Sequence, residues 1–227
     1  MPGLTPRLVR RALIPASYLV FFAGLMASGA IFFRGKPFDA KSAIISDLAS
    51  PDDNPRGYGP SAAGTAIAGI LLAPAAMMFH QRLRKGWPKL ALAGAAMFAL
   101  GLGAAAAIGI FAPFTHGYTP MHIQLAYAAF IGICGGVLLH LIAARAAKGL
   151  IALQCAVLLV LVYLYVGPEL FTNDRLLTSL AFWEWVMCVD CGVGLWALAV
   201  VIERVTEDVA RTPFMPIQAG AVGKGRI

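Results

Sequence analysis

Asp47, His122 and Glu184 stand out because almost everything around them is apolar. A charge at the centre of a membrane-spanning helix costs about 2.5–3.5 kcal/mol on insertion scales, so it needs a partner, a cavity or a task. An imidazole beside carboxyl groups can do acid–base work. His122, Asp47 and Glu184 are therefore the candidate catalytic residues of a membrane-embedded lipid hydrolase or acyltransferase. The same three, with Ser46 and His116, also suit hydrogen bonding to a lipid headgroup. Arg56 and Arg175 could meet its phosphate. A third reading makes Glu184 the proton carrier of a small-solute or proton-coupled transporter.

Helical spacing sorts the groups of the last apolar run. At about 100° per residue, Cys188 and Cys191 fall on the face of Glu184, and Asp190 falls about 120° away. The two acids cannot form one close pair. Asp190, with Met187 and Gly194 around it, suits an interhelical hydrogen bond or a protonated acid. Glu184 is either a structural carboxyl or a working one. Cys188-Val189-Asp190-Cys191 has the C-x-x-C spacing, but redox use needs an accessible thiol at a helix N-terminus. Mid-helix in lipid, these cysteines read as packing residues. His116 and His122, with Asp47, make a weak zinc set, because Pro120 intervenes and the spacing misses a common helix face. A hydrogen-bonded network of Ser46, Asp47, His122 and Glu184 is the better reading, and no metal is expected. His80 and His140 are read as interfacial, at helix ends. No phosphate-binding loop, dinucleotide fingerprint or nucleophile elbow appears, so no cofactor is expected.

Six apolar runs must position these groups. They cover Ala12–Phe33, Ser61–Phe79, Leu90–Ala112, His122–Ile142, Gly149–Val166 and Thr178–Ile202. Each is about long enough to cross a hydrocarbon core of roughly 30 Å. Hydrophobic residues make up 59% of the 227, and charged ones only 13%. The mean hydropathy is +0.77. An all-α integral membrane protein with six transmembrane helices follows, since a barrel would show short alternating segments instead. Residues 1–11 form a basic tail, 12–203 the bundle, and 204–227 a second tail expected to be poorly ordered.

The net charge of +7 is not spread evenly. Most of the basic residues lie before the first run, in the two loops at His80–Lys89 and Arg145–Lys148, and after the last run. Arg34, Lys36, Lys41, Arg56 and Arg175 fall in the alternate loops. The positive-inside rule then puts both termini in the cytoplasm. The basic residues are topology signals, not a nucleic-acid surface. Trp183, Trp185 and Tyr118 suit interface anchors. The longest connection, Arg34–Pro60, lies on the outer side, and Ala40–Leu48 within it suits a short interfacial helix. Small residues such as Gly132 and Gly136 suit close helix packing inside the bundle, with a homo-oligomer as the alternative. Pro74 suggests a kink in the second helix.

Ile45-Ser46-Asp47-Leu48, followed by a Pro-rich turn, resembles the Ile-Ser-Asp segment of the DRAM/Sfk/Frag family and of the bacterial domain-of-unknown-function 998 family. His122-x3-Ala126-x3-Phe130 resembles the start of that family's fourth helix, and Glu184-Trp185 its Glu-Trp in the last helix. Leu48-Ala49 departs from the Thr-Gly or Leu-Gly that pattern has after Ser-Asp. The resemblance covers about Ala12 to Ile202 and implies six helices with cytoplasmic termini. It also implies a link to lipid handling, with membrane lipids as partners. The expectation is a protein of the bacterial cytoplasmic membrane that binds or organises lipid from the outer-leaflet side.

Overall fold

The computed structural model describes residues 4–35, 37–39, 45–114, 119–166 and 179–211. Among these the only regular structure is helical. α1 (Pro6–Leu8) runs through a π-turn, Val9–Leu13, into α2 (Ile14–Phe32). The short α3 (Ile45–Ala49) precedes α4 (Tyr58–Leu83), α5 (Pro88–Phe111), α6 (Thr119–Ala143), α7 (Lys148–Val166) and α8 (Leu180–Arg211). Five rods are long and apolar enough to cross a membrane: Pro6–Phe32, Tyr58–Leu83, Pro88–Phe114, Met121–Ala143 and Leu180–Glu207. α7 is the shorter companion of these. Their outward faces are apolar too, with Leu19, Met26, Leu100 and Leu159 each at least 70% exposed. A helix apolar on all sides belongs in a core or in lipid. The fold is thus an all-α bundle with the makeup of an integral membrane protein.

The first and last helices outrun the apolar pattern for local reasons. Thr5 starts the chain's first turn by accepting the Leu8 N–H on Oγ1 at 3.1 Å, with Pro6 at the first helical position. Both devices are favoured at helix starts. α8 continues past Ile202 into polar sequence, where Glu203 pairs with Arg10 at 2.9 Å. Arg10 also lies 5.9 Å from the Trp196 ring centre. The pair joins the two ends of the described chain at one end of the bundle. α4 carries Pro74 in its interior and remains a continuous helix. Of the expected helix at Ala40–Leu48, the described part is α3; 40–44 lies outside the described residues, as does Tyr118.

Small residues set the closest packing. α5 lies against α6 at Gly101 and Gly132, where a Cβ on Gly132 would stand 2.5 Å from Gly101 Cα. Gly136 faces Phe98 just as closely. The Gly132/Gly136 pair is therefore used inside the bundle. Below this contact the interior is filled by Phe79, Phe98, Leu141, Leu198 and Ile202. His140 belongs to this filled half: it is fully buried, against the interfacial expectation. Its Nδ1 lies 2.7 Å from the Gly136 carbonyl oxygen, and its ring fits because Gly94 has no side chain to meet it. Asp190 takes two hydrogen bonds from Gln154 Nε2, each 3.0 Å, which pins α7 to α8.

A side chain at the α5–α6 contact must force the helices apart, and overpacking of this kind costs about 1–3 kcal/mol. Gly132→Leu should lower the melting temperature of the detergent-solubilised protein by several degrees. The same change at Gly103, where a Cβ would meet open space, should not.

Candidate functional site

Glu184 sits one turn into α8 and is 9% exposed. Its Oε2 accepts the Ile45 N–H at 2.8 Å and the Ser46 N–H at 3.3 Å. Its Oε1 accepts the Ser46 hydroxyl at 3.3 Å. Ile45 and Ser46 open α3, so these are amides with no acceptor inside their own helix. A carboxyl group at that end meets the N–H groups and the positive end of the helix dipole together. A five-residue helix has no stability of its own. Glu184 supplies the contact that holds α3 across the end of the bundle.

One further anchor fixes α3 from the other side, and a second bond closes the helices next to it. Asn54 is 3% exposed and donates from Nδ2 to the Leu48 carbonyl at 3.3 Å. Ser28 on α2 accepts the Ser61 N–H on its Oγ at 2.8 Å, which ties α2 to the first turn of α4. Leu25, Ile45, Leu48 and Cys188 close the apolar contact between α2, α3 and α8. Trp185 packs against this cluster and stands edge-on to Phe38 at 6.1 Å.

Beneath α3 lies a cavity of about 130 Å³. α2, α4, α5, α6 and α8 form its walls, and Ile45, Ser46 and Ala49 of α3 contribute to its roof. Glu184 and His122 both line it, at the α3 end. Cys188 and Cys191 line it on the same α8 face as Glu184, while Asp190 faces α7, as the helical spacing implies. His122 is 9% exposed, and its Nε2 has no hydrogen-bond partner. The hydroxyls of Ser61 and Ser17, on residues 1% and 0% exposed, also line the cavity without a partner. Buried polar atoms are nearly always paired, so three unpaired ones around one cavity mark it as a place for a polar ligand atom.

Other expected site residues sit differently. Asp47 is half-buried on α3, beside Ser46, and does not line the cavity. Burial, with the Asp53 charge adding to it, pushes its carboxyl up to about 6. Arg56 is exposed on the turn before α4 and is not a lining residue. His116 and Arg175 lie outside the described residues. The network of Ser46, Asp47, His122 and Glu184 thus resolves into a Glu184–Ser46 latch with an unpaired His122 Nε2 on the same cavity. Sequence reasoning did not single out Ser17, Ser61 or Asn54. The available signal was a hydroxyl inside or at the edge of an apolar run. Cys191 meets Cys134 of α6, Sγ to Sγ 3.5 Å, rather than Cys188. No group of three or more metal-ligating side chains occurs among the described residues.

No protein-family model, curated protein or solved structure matches the chain.

Two outcomes follow for the latch. Glu184→Ala should speed amide exchange at Ile45 and Ser46 by roughly tenfold or more, since each lost hydrogen bond is worth about 1 kcal/mol. Unchanged exchange there would remove the latch. Asp47 has the opposite signature. Its folded carboxyl holds a proton that the unfolded one has lost between about pH 4 and 6, so this group's contribution to stability falls as pH rises through that window. Asp47→Asn should therefore raise the melting temperature at pH 7.5, and the gain should vanish by pH 4.

Proposed function

We propose that this chain is a six-span protein of the bacterial cytoplasmic membrane that binds or organises membrane lipid at the outer-leaflet side, with the cavity beneath α3 receiving part of the lipid. On this reading it is related to the DRAM/Sfk/Frag and domain-of-unknown-function 998 proteins. Both termini lie in the cytoplasm, and α3 lies at the outer leaflet. The observation that carries the reading is the cavity itself: an apolar slot between the membrane-length helices, polar at one end and roofed by a latched helix. An apolar pocket with a few convergent polar groups is the usual form of a small-molecule site.

The geometry favours binding over turnover. An acid–base pair of His122 with Glu184 needs a hydrogen bond between them, and His122 Nε2 has no partner. The bonds that Glu184 does make are to α3. The topology draws on the basic residues near Arg10, Arg84 and Arg145, all at the bundle end opposite α3.

Native mass spectrometry of the purified protein tests the reading. Wild type should carry a lipid-mass adduct. Ala126→Trp and Ala105→Trp, which fill the cavity from α6 and α5, should lose it. Leu159→Trp, on an exposed face of α7, should keep it. Retention of the same adduct by both cavity variants would reject the site. Fatty-acid release that His122→Ala abolishes would establish a hydrolase instead. A reporter fused to the C-terminus should be active only in its cytoplasmic form, and activity of a periplasmic reporter would overturn the topology.

A further inference from the structure

At the bundle end opposite α3, four residues join α4 to α5: Arg84-Lys85-Gly86-Trp87. The membrane-length stretches on either side end at Leu83 and begin at Pro88. The cations of this connection therefore stand at the level of lipid headgroups. A recess of about 470 Å³ opens here, lined by His80, Arg84, Lys85, Pro88, Lys89 and Leu92. None of these residues lines the cavity beneath α3.

Basic residues at helix ends act as topology signals wherever they stand, and need not converge. Here three converge on one recess and nothing neutralises them. Arg84, Lys85 and Lys89 are exposed and form no ion pair with a described residue. No Asp or Glu occurs between Asp53 and Glu169, so α4, α5, α6 and α7 bring no acid to this end. Glu203 of α8 is held by Arg10.

The remaining groups suit a phosphate. The first turn of α5 lines the recess, and the Lys89 and Leu90 amides there have no acceptor inside their helix. The same helix end carries the positive pole of the dipole, which favours an anion. His80 Nδ1 is buried without a hydrogen-bond partner. A phosphate oxygen would accept from it in the tautomer that carries a proton there. Arg145 adds a cation beside the lining, its guanidinium 5.9 Å from the Trp87 ring centre. It stands just past α6 with a φ of 52°, a conformation glycine usually takes after a helix. The apolar rim favours a lipid over a free phosphate. Leu92 is 59% exposed at the recess, and Leu100 is exposed further along α5. Acyl chains can follow this outer face without entering the bundle. Basic pockets between membrane helices are a recurrent form of anionic-lipid site.

We propose that this recess binds the phosphate of an anionic phospholipid through Arg84, Lys85 and Lys89, with the acyl chains along the outer face of α5.

Binding to the full-length, detergent-solubilised protein tests this with three probes. They are dioleoylphosphatidylglycerol, the zwitterionic dioleoylphosphatidylcholine, and glycerol phosphate, which has no chains. Dioleoylphosphatidylglycerol should bind roughly tenfold or more tightly than either of the others. Lys85→Gln with Lys89→Gln should weaken it by roughly tenfold. Arg7→Gln with Arg11→Gln removes the same charge from residues that do not line the recess, and should change the affinity little. All four positions are exposed, so both double variants should melt as wild type does. Ala126→Trp, in the cavity beneath α3, should leave the affinity unchanged. Equal binding of dioleoylphosphatidylcholine overturns the proposal. Glycerol phosphate bound as tightly as the lipid would make this a free-phosphate site and overturn it too. Equal weakening by the two double variants would reduce the effect to diffuse charge, with the same consequence. Each of these failures leaves the Trp-sensitive adduct, and the reading built on it, untouched. Loss of dioleoylphosphatidylglycerol binding in Ala126→Trp would move the anionic lipid to the cavity and reject the recess.

Discussion

The hydrogen bonds from α3 to Glu184 are the contact on which the site depends. Five residues cannot sustain a helix alone, and the first amides of any helix lack an internal acceptor. Glu184 answers both needs from a helix that is distant in sequence. In return, a carboxyl that would be costly in an apolar bundle gains two N–H donors and a hydroxyl. Each element removes the other's penalty. The roof of the cavity exists because this exchange is favourable.

The cavity beneath it has a complementary origin in side-chain volume. The bundle packs closely wherever Gly and Ala let backbones approach, as at Gly101 and Gly132. Toward the end that carries Arg10 and Glu203, large side chains such as Phe79, Phe98 and Leu198 fill the interior. Toward α3 the facing positions are small: Ala68 on α4, Ala105 on α5, and Ala126 and Ala129 on α6. Small side chains on several walls of one level do not reach across to each other. Loss of those contacts has a price in dispersion energy, which a ligand can restore.

Polar groups around this space divide into bonded and unbonded sets. Glu184, Ser46, Ser28 and Asn54 are engaged in holding helices together, and Thr65 donates to the Ser61 carbonyl within α4. His122 Nε2 and Ser61 Oγ are not. The division separates residues that build the site from those available to a ligand. Asp47, on the roof helix α3, and Arg56, exposed on the turn before α4, line no part of the cavity.

Hydropathy and helical periodicity are local properties, and what they govern was legible in the chain. The apolar runs foretold the long helices, and the 100° spacing foretold that Glu184, Cys188 and Cys191 share a face that Asp190 does not. Isolated polarity in an apolar chain pointed to Glu184 and His122. The limits were also physical. α8 runs past its apolar stretch to a salt bridge with Arg10, a partner far away in sequence. His140, at the end of an apolar run, is buried because Gly94 on another helix leaves room for it. The Cys134–Cys191 contact, the unpaired hydroxyls of Ser17 and Ser61, and the cavity depend on which helices become neighbours. A void is the difference between the space several helices enclose and the volume their side chains fill. No single segment contains that information, so only the tertiary structure decided it.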